Sequence, residues 1–385
     1  MSLLNNAISF KFFKNKELDQ FYFAVFIMTF GESLINIFVP IYLFGLGFGI
    51  PKILFFYFLV SLYFLIFSYM GAKIVARIGE KHSILLSTPF IILYYIGLMC
   101  VDSNVLIFLF LPLLVSLRMM LYNYGYHLNF INHSKKTKRG HELAIFGIIT
   151  LLATVFAPYL GSILANVNFT IVFIISSILI TIGTAPLFLS KDKFEKIDFV
   201  PIKVFEKIFS KKNRGNFISF SGYAIESIIG KTIWPIFLIM LVGTINKTGL
   251  LISASMLFSL LMFHFVGRLT DKINKIKLLK IGTILYFFAW MGRIFADTAY
   301  KVLFIDSYKN LSEKILYLPW SAHNYDLAKK GNYFEFIVSR EIIFNLIRVL
   351  VLPILIWIFW MNFHPFIMSF SIAGLFSMGY VFIDK

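Results

Sequence analysis

The residues of this sequence most able to do chemistry are charged side chains inside long apolar stretches. A charge in a hydrocarbon layer costs about 3 kcal/mol or more, so each one needs a partner or a wet cavity and is a functional candidate. A carboxylate that alternates between a dry site and the neighbourhood of a cation can bind and release a proton. Seven of these side chains are basic and five are acidic, namely Arg118, Lys231, Arg293, Lys309, Lys314, Arg340 and Arg348, and Glu32, Glu226, Asp306, Glu313 and Glu341.

Several of these residues share a helix face with polar or aromatic side chains. Glu32 and Asn36 are four residues apart, as are Arg118 and Tyr122, so each pair projects from one face of a helix. Such stripes predict either the lining of a substrate cavity or helix pairing that fixes register, and the sequence favours neither. Two longer stripes comprise Asp306, Asn310, Glu313, Tyr317, Trp320 and Asn324, and Glu341, Asn345 and Arg348.

The elements that position these side chains follow from composition and hydropathy. Apolar residues make up 59% of the 385 residues and charged residues 14%, which excludes an ordinary soluble protein. Long apolar runs predict an all-α membrane protein with twelve transmembrane helices, the tenth being the weakest. The predicted spans are 20–45, 51–70, 83–101, 104–130, 142–164, 168–189, 217–243, 249–266, 278–297, 300–326, 336–360 and 364–383.

The distribution of cations predicts the orientation of these spans. The formal net charge of +17 first suggests nucleic acid as a partner. With the first residues inside, however, the cytoplasmic segments hold 26 of the 36 Lys and Arg, and the opposite loops hold 3. Because this satisfies the positive-inside rule, we predict a multi-pass protein of the cell membrane with both termini cytoplasmic. We expect lipid headgroups, and no nucleic acid, against the basic loops.

An internal repeat of about 195 residues divides the chain. The sequence Glu32-Ser33-Leu34-Ile35 recurs as Glu226-Ser227-Ile228-Ile229, and Pro158 corresponds to Pro353. Tyr124-Gly125-Tyr126-His127 likewise corresponds to Trp320-Ser321-Ala322-His323. The repeat predicts a six-helix bundle over 1–189, a cytoplasmic linker over 190–215 and a second six-helix bundle over 216–385, related by pseudo-two-fold symmetry.

Two loops carry a shared motif that resembles the signature of the major facilitator superfamily. The loop after the second span has Arg77 and Gly79, and the loop after the eighth span has Gly267, Asp271 and Lys272. The signature combines a tight turn, an acid near a helix start and cations on the inner face. The first copy departs from it, since Ala76 replaces the acid.

A small-residue patch in span five, Ala157 to Ser162, is similar to the motif of the family's antiporters. A helix kink with close packing at small residues is the favoured explanation of the patch.

The resemblance implies that spans one and seven face each other across a central cavity, with Glu32 opposite Glu226 or Lys231. It places Arg118 where the family often has a membrane-embedded arginine, either as a partner of Glu32 or as an anion site. We predict Glu32, Glu226 and Arg118 as proton-coupling residues; for Glu32 the alternative is a structural tie between helices. The predicted substrate-binding residues are Asn36, Tyr122, Lys231, Trp234, Asp306, Asn310, Glu313, Lys314, Tyr317, Trp320, Glu341, Asn345 and Arg348.

The resemblance implies a monomeric secondary transporter that moves a small molecule by alternating access. The sequence has no phosphate-binding loop, nucleophile motif or paired metal ligands, so we expect no enzyme activity, catalytic residue, cofactor or metal. Proton-coupled efflux of a drug or metabolite is the first expectation, and uptake or exchange of a polar or anionic metabolite is the second. A membrane scaffold or lipid-handling protein is the alternative from another class, and its polar stripes would not converge on one cavity.

Overall fold

The computed structural model describes residues 16–101, 105–133, 139–189, 196–200, 204, 206, 208, 210–270, 274–328 and 332–383. Within these residues twelve α-helices have defined bounds and no β-strand occurs. The helices are α1 Lys16–Ser33, α2 Val39–Gly45, α3 Ile50–Met99, α4 Val105–His133, α5 Arg139–Val167, α6 Phe169–Thr184, α7 Arg214–Val242, α8 Ile245–Thr270, α9 Lys275–Arg293, α10 Ala299–Ala328, α11 Tyr333–Met361 and α12 Pro365–Ser377.

The first three predicted spans differ from the structure in detail. Span one is broken into α1 and α2 by a turn over residues 34–38, and Pro40 lies in the first turn of α2, where its missing N–H costs no hydrogen bond. Spans two and three form the single helix α3, so the loop predicted over 71–82 is helical. Only Gly79 leaves the helical conformation, with φ 84°, which glycine adopts without a Cβ clash. Helices α4 to α12 correspond to spans four to twelve.

Hydropathy alone identifies only some of these helices as membrane spans. Seven described helices are long and apolar enough to cross a membrane, among them α3, α4, α7 and α11. Helix α10, the weakest predicted span, is not one of them, and it carries Asp306, Lys309, Glu313 and Lys314 within nine residues. These four charged residues lower the hydropathy of α10, and each needs a partner or a wet cavity in the folded protein.

Helices α1–α6 and α7–α12 form two six-helix halves that pack against each other in equivalent ways. Helix α5 of the first half packs along α8 of the second, and α11 of the second half packs along α3 of the first. The two contacts correspond to each other under the sequence repeat, because α5 is equivalent to α11 and α8 is equivalent to the first part of α3. Helix α2, the second part of span one, also contacts α7, which is span seven. The first span of each half therefore lies at the interface.

The predicted loop motif is only partly within the described residues. Arg77 is exposed and Gly79 forms the buried bend of α3, while Gly267 lies within α8. Asp271 and Lys272 lie outside the described residues, as do 12 of the 26 residues of the segment 190–215.

Close approach of helices at small residues holds the first half together. A Cβ on Gly161 of α5 would overlap the backbone carbonyl of Leu34, in the turn that breaks span one. The backbone on both sides is fixed by helix hydrogen bonds, so no flexible side chain can move away. Small residues that allow such approach are typical of membrane helix interfaces.

We predict that Gly161→Ala destabilises the protein, because overpacking of this kind costs about 1–3 kcal/mol. The measurement is thermal unfolding of the purified protein in detergent. Gly45→Ala is the matched control, since a Cβ there has no atom within 4 Å. Equal unfolding temperatures for the two variants would contradict the packing argument.

Candidate substrate cavity

A cavity of about 500 Å³ lies between the two halves, lined by residues of span one, α3, α4, α7, α10 and α11. Its volume is within the range of small-molecule binding sites. The stripes predicted on spans one, four, seven, ten and eleven therefore converge on one cavity, as the transporter interpretation requires. The predicted residues that line it are Glu32, Asn36, Arg118, Tyr122, Lys231, Tyr317, Trp320, Glu341, Asn345 and Arg348.

Glu32 and Arg118 form an ion pair in the wall of the cavity. Glu32 lies at the end of α1, just before the break in span one, and Arg118 lies in the middle of α4. The guanidinium carbon of Arg118 also lies 3.8 Å from the ring centroid of Tyr122, one turn further along α4. Of the two roles expected for Arg118, the structure shows the pairing with Glu32.

Glu341 is the second carboxylate of the cavity, and it joins the two halves. Arg340 Nη2 donates to Glu341 Oε1 at 2.9 Å, and Asn123 Nδ2 of α4 donates to Oε2 at 3.2 Å. Asn345 Nδ2 donates to the backbone carbonyl of Glu341 at 2.9 Å. The carboxylate is thus neutralised by its own helix and hydrogen-bonded by the opposite half.

A second polar contact between the halves is formed by His127 and Tyr325. His127 Nδ1 of α4 and the Tyr325 hydroxyl of α10 are 2.7 Å apart, and His127 Nε2 lies 4.0 Å from Glu341 Oε1. Sequence analysis identified His127 only as part of the repeat and gave no role to Asn123 or Tyr325. The sequence did contain a signal for two of them. Asn123 and His127 follow Met119 by four and eight residues, so all three lie on the face of α4 that lines the cavity.

Two cations of the cavity have no carboxylate partner among the described residues. Arg348 Nη2 donates to Ser227 Oγ at 3.2 Å, while its Nε is buried without a hydrogen bond. Lys231 is exposed to the cavity, and no described carboxylate lies within 4.0 Å of its ammonium group. The positive charges of Lys231 and Arg348 repel each other, while the more distant carboxylates of Glu226, Glu313 and Glu341 attract Lys231.

Aromatic rings of the second half form one side of the cavity. The ring centroids of Tyr223 and Trp320 are 5.4 Å apart with an interplanar angle of 26°, and those of Tyr317 and Trp320 are 5.5 Å apart. Trp320 Nε1 donates to Ser219 Oγ at 2.8 Å, which fixes the indole. Phe344 of α11 packs against Tyr223 with 4.6 Å between ring centroids.

Glu226, predicted as a proton-coupling residue, does not line the cavity. It is buried on the face of α7 that is turned away from the cavity. Tyr286 donates to its Oε2 at 2.8 Å, and Tyr380 donates to its Oε1 at 2.9 Å. Five residues separate Glu226 from Lys231, which corresponds to about 140° around a helix, so both cannot face the cavity. Glu32 therefore faces the Lys231 side of α7.

The first part of the α10 stripe, from Asp306 to Glu313, also lies away from the cavity. Glu313 accepts from Lys309 at 2.8 Å, and Asn310 donates to Ser255 of α8 at 3.3 Å. An ion pair within α10 and a hydrogen bond to α8 thus account for this part of the stripe, while Tyr317 and Trp320 reach the cavity. The predicted substrate-binding residues that the structure places outside the cavity lining are Trp234, Asp306, Asn310, Glu313 and Lys314.

Trp234 and Asp306 belong to a buried cluster with Arg293, which sequence analysis left without a role. Arg293 Nη2 and Nε donate to Asp306 Oδ1 at 2.8 and 3.2 Å, and Trp234 Nε1 donates to Oδ2 at 3.0 Å. The Arg293 guanidinium also stacks on the Trp234 ring at 3.9 Å. The cluster joins α7, α9 and α10 inside the second half.

We predict that Asp306→Asn destabilises the protein by about 3 kcal/mol, because it leaves the Arg293 charge buried without a counter-ion. Thermal unfolding in detergent measures the effect. Asp297→Asn serves as control, since Asp297 and its partner Lys301 are solvent-exposed and such pairs contribute little. A variant as stable as the parent would argue against the structural role.

Comparisons with known proteins agree with this architecture. The family model of the Major Facilitator Superfamily matches residues 129–307. A POT family transporter solved in complex with 5-aminolevulinic acid superposes with TM-score 0.72 at 16% identity, over 95% of this chain and 96% of that chain. No curated protein sequence matches the chain.

Two further solved structures share the fold. The nucleoside transporter NupG has TM-score 0.68 at 13% identity, over 95% of this chain and 98% of its own. The human organic anion transporter MFSD10 (TETRAN) has TM-score 0.67 at 10% identity, over 95% and 99%.

The chain is thus a twelve-helix bundle with a cavity between its halves, and its fold is that of these solved transporters. The chain is therefore similar to the major facilitator superfamily by sequence over residues 129–307 and similar in fold to solved transporters over nearly its whole length.

Proposed function

We propose that the protein is a proton-coupled secondary transporter of a small anionic molecule. The observation that carries the proposal is the charge of the cavity. Four cationic side chains and two carboxylates line it, and both carboxylates are paired with arginines. Lys231 and Arg348 remain to bind an anion, and their attraction for it is stronger inside the protein than in bulk water, where the dielectric constant is higher.

The Glu32–Arg118 pair supplies a coupling mechanism. When Glu32 takes up a proton, its attraction for Arg118 falls and the cavity gains one positive charge. An anionic substrate therefore binds better to the protonated protein, and by linkage the anion favours protonation of Glu32. Proton and anion then move together through alternating access.

The charge of the cavity also favours one of the two directions that the sequence left open. Antiport requires a substrate that competes with the proton, as a cation at Glu32 would. A cavity with excess positive charge binds cations poorly, so proton antiport of a cationic drug is disfavoured. We therefore place proton-driven uptake of an anionic metabolite, the second expectation, before efflux.

We predict that small carboxylates, and not amines or alcohols of matched size, raise the thermal unfolding temperature of the purified protein. Lys231→Gln and Arg348→Gln should each weaken carboxylate binding about tenfold, since each removes a charge-assisted hydrogen bond. Matched controls are Lys247→Gln and Arg214→Gln, at exposed positions outside the cavity. Stabilisation by amines alone would overturn the proposal.

We predict that Glu32→Gln abolishes substrate-dependent proton flux while carboxylate binding persists, because glutamine cannot take up the proton. The measurement uses proteoliposomes with a trapped pH indicator, to which the best carboxylate of the thermal screen is added. The control is Glu206→Gln, at an exposed position. Proton flux equal to that of the parent protein would remove Glu32 from the mechanism.

A further inference from the structure

We propose that the transported anion carries a planar ring, and that Tyr223, Tyr317 and Trp320 form the subsite for this ring. The inference rests on the proposed anion transport and adds a substrate class to the same cavity. Three features of the cavity support it: the arrangement of the three rings, the kind of aromatic residue that lines the cavity, and the position of the rings relative to the cations.

Tyr317 presents a ring face to the cavity, and Tyr223 and the buried Trp320 support it from behind. Tyr223 and Trp320 are close to parallel, at 26°, and Tyr317 is inclined to Trp320 by 40°. Tyr317 is 37% exposed and lines the cavity, so its ring is available to a ligand. Aromatic pairs favour offset stacking with centroids 4.5–7 Å apart, which a ligand ring beside Tyr317 would continue.

The aromatic residues of the cavity differ from those of the whole chain. Phe outnumbers Tyr by 47 to 19 in the sequence, yet six Tyr and one Phe line the cavity. The cavity therefore does not simply sample the composition of the chain. Tyrosine offers a ring face together with a hydroxyl that donates and accepts hydrogen bonds, which suits a ring with polar substituents.

The rings lie close to the cations that would bind the acidic group. Phe344 packs on Tyr223 at 4.6 Å, and Arg348 follows Phe344 by one turn of α11, about 6 Å along the helix axis. On α7, Tyr223, Ser227 and Lys231 recur every four residues, and Ser227 accepts from Arg348. A ligand with its acidic group on the ring, or one or two bonds away, can contact both subsites.

The test compares three probes of similar size: 2-naphthoate, its saturated analogue decahydro-2-naphthoate, and 2-naphthalenemethanol. Their affinities are measured on the purified full-length protein by titrated thermal shift and by saturation-transfer NMR, which detects weak binding. We expect 2-naphthoate to bind about 3–10-fold more tightly than the saturated acid, from the stacking contribution. The neutral alcohol should bind more weakly than 2-naphthoate.

Variants assign this preference to residues. Tyr317→Leu should bring the ratio of the two acids close to one without weakening the saturated acid, whereas Tyr317→Phe should keep the ratio. Lys231→Gln should weaken both acids equally and leave the ratio unchanged. Tyr300→Leu is the matched control, because Tyr300 is 86% exposed and lies outside the cavity lining.

The outcomes separate the two proposals. Equal binding of the two acids would overturn the ring subsite and leave anion transport standing. Binding of 2-naphthalenemethanol as tight as that of 2-naphthoate would support the ring subsite and sink the anion proposal. Binding of none of the probes would overturn the ring subsite, as would an unchanged ratio in Tyr317→Leu. The ratio in the unmodified protein decides even where a variant fails to fold.

Discussion

The cost of a charge inside a membrane is the constraint on which this structure depends. Of the twelve ionisable residues in the spans, eight form four ion pairs, Glu32–Arg118, Arg340–Glu341, Arg293–Asp306 and Lys309–Glu313. Glu226 is held by two tyrosine hydroxyls. Pairing within or between neighbouring helices thus accounts for most of the charges, and the two pairs that join helices restrict the rotation of α1, α4, α9 and α10. The charges left over are informative because the rest are compensated.

The location of each pair decides whether it is part of a scaffold or of a site. Arg293–Asp306 lies inside the second half, where Trp234 completes the hydrogen bonding of the carboxylate, so the pair has no exchange with a cavity. Glu32–Arg118 lies in the cavity wall, where water, protons and ligands have access. The same chemistry therefore stabilises helix packing at one place and, in the function proposed above, responds to protonation at the other.

The sequence predicted the architecture well because the signals for it are local or periodic. Apolar runs and the 195-residue repeat needed no knowledge of packing. The site was predicted less completely, since residues such as Glu226 and Asp306 are as polar as Glu32 and differ only in which neighbour their helix face meets. Helical rotation separates Glu226 from Lys231, yet the sequence cannot say which of the two faces the cavity. His127 and Asn123 were missed because their partners, Tyr325 and Glu341, lie about 200 residues away.

Glu341 links the charge of the cavity to the contact between the halves. Its carboxylate accepts from Arg340 on its own helix and from Asn123 on α4, and α10 reaches the same α4 face through Tyr325 and His127. A ligand anion that competes for Arg340 changes the charge felt by Glu341, and therefore the strength of the bond to Asn123. Since separation of α4 from α10 and α11 breaks these bonds, occupancy of the cavity and separation of the halves share one free-energy term. A transporter needs such a shared term, because a ligand that bound equally well to every arrangement of the halves would shift none of them.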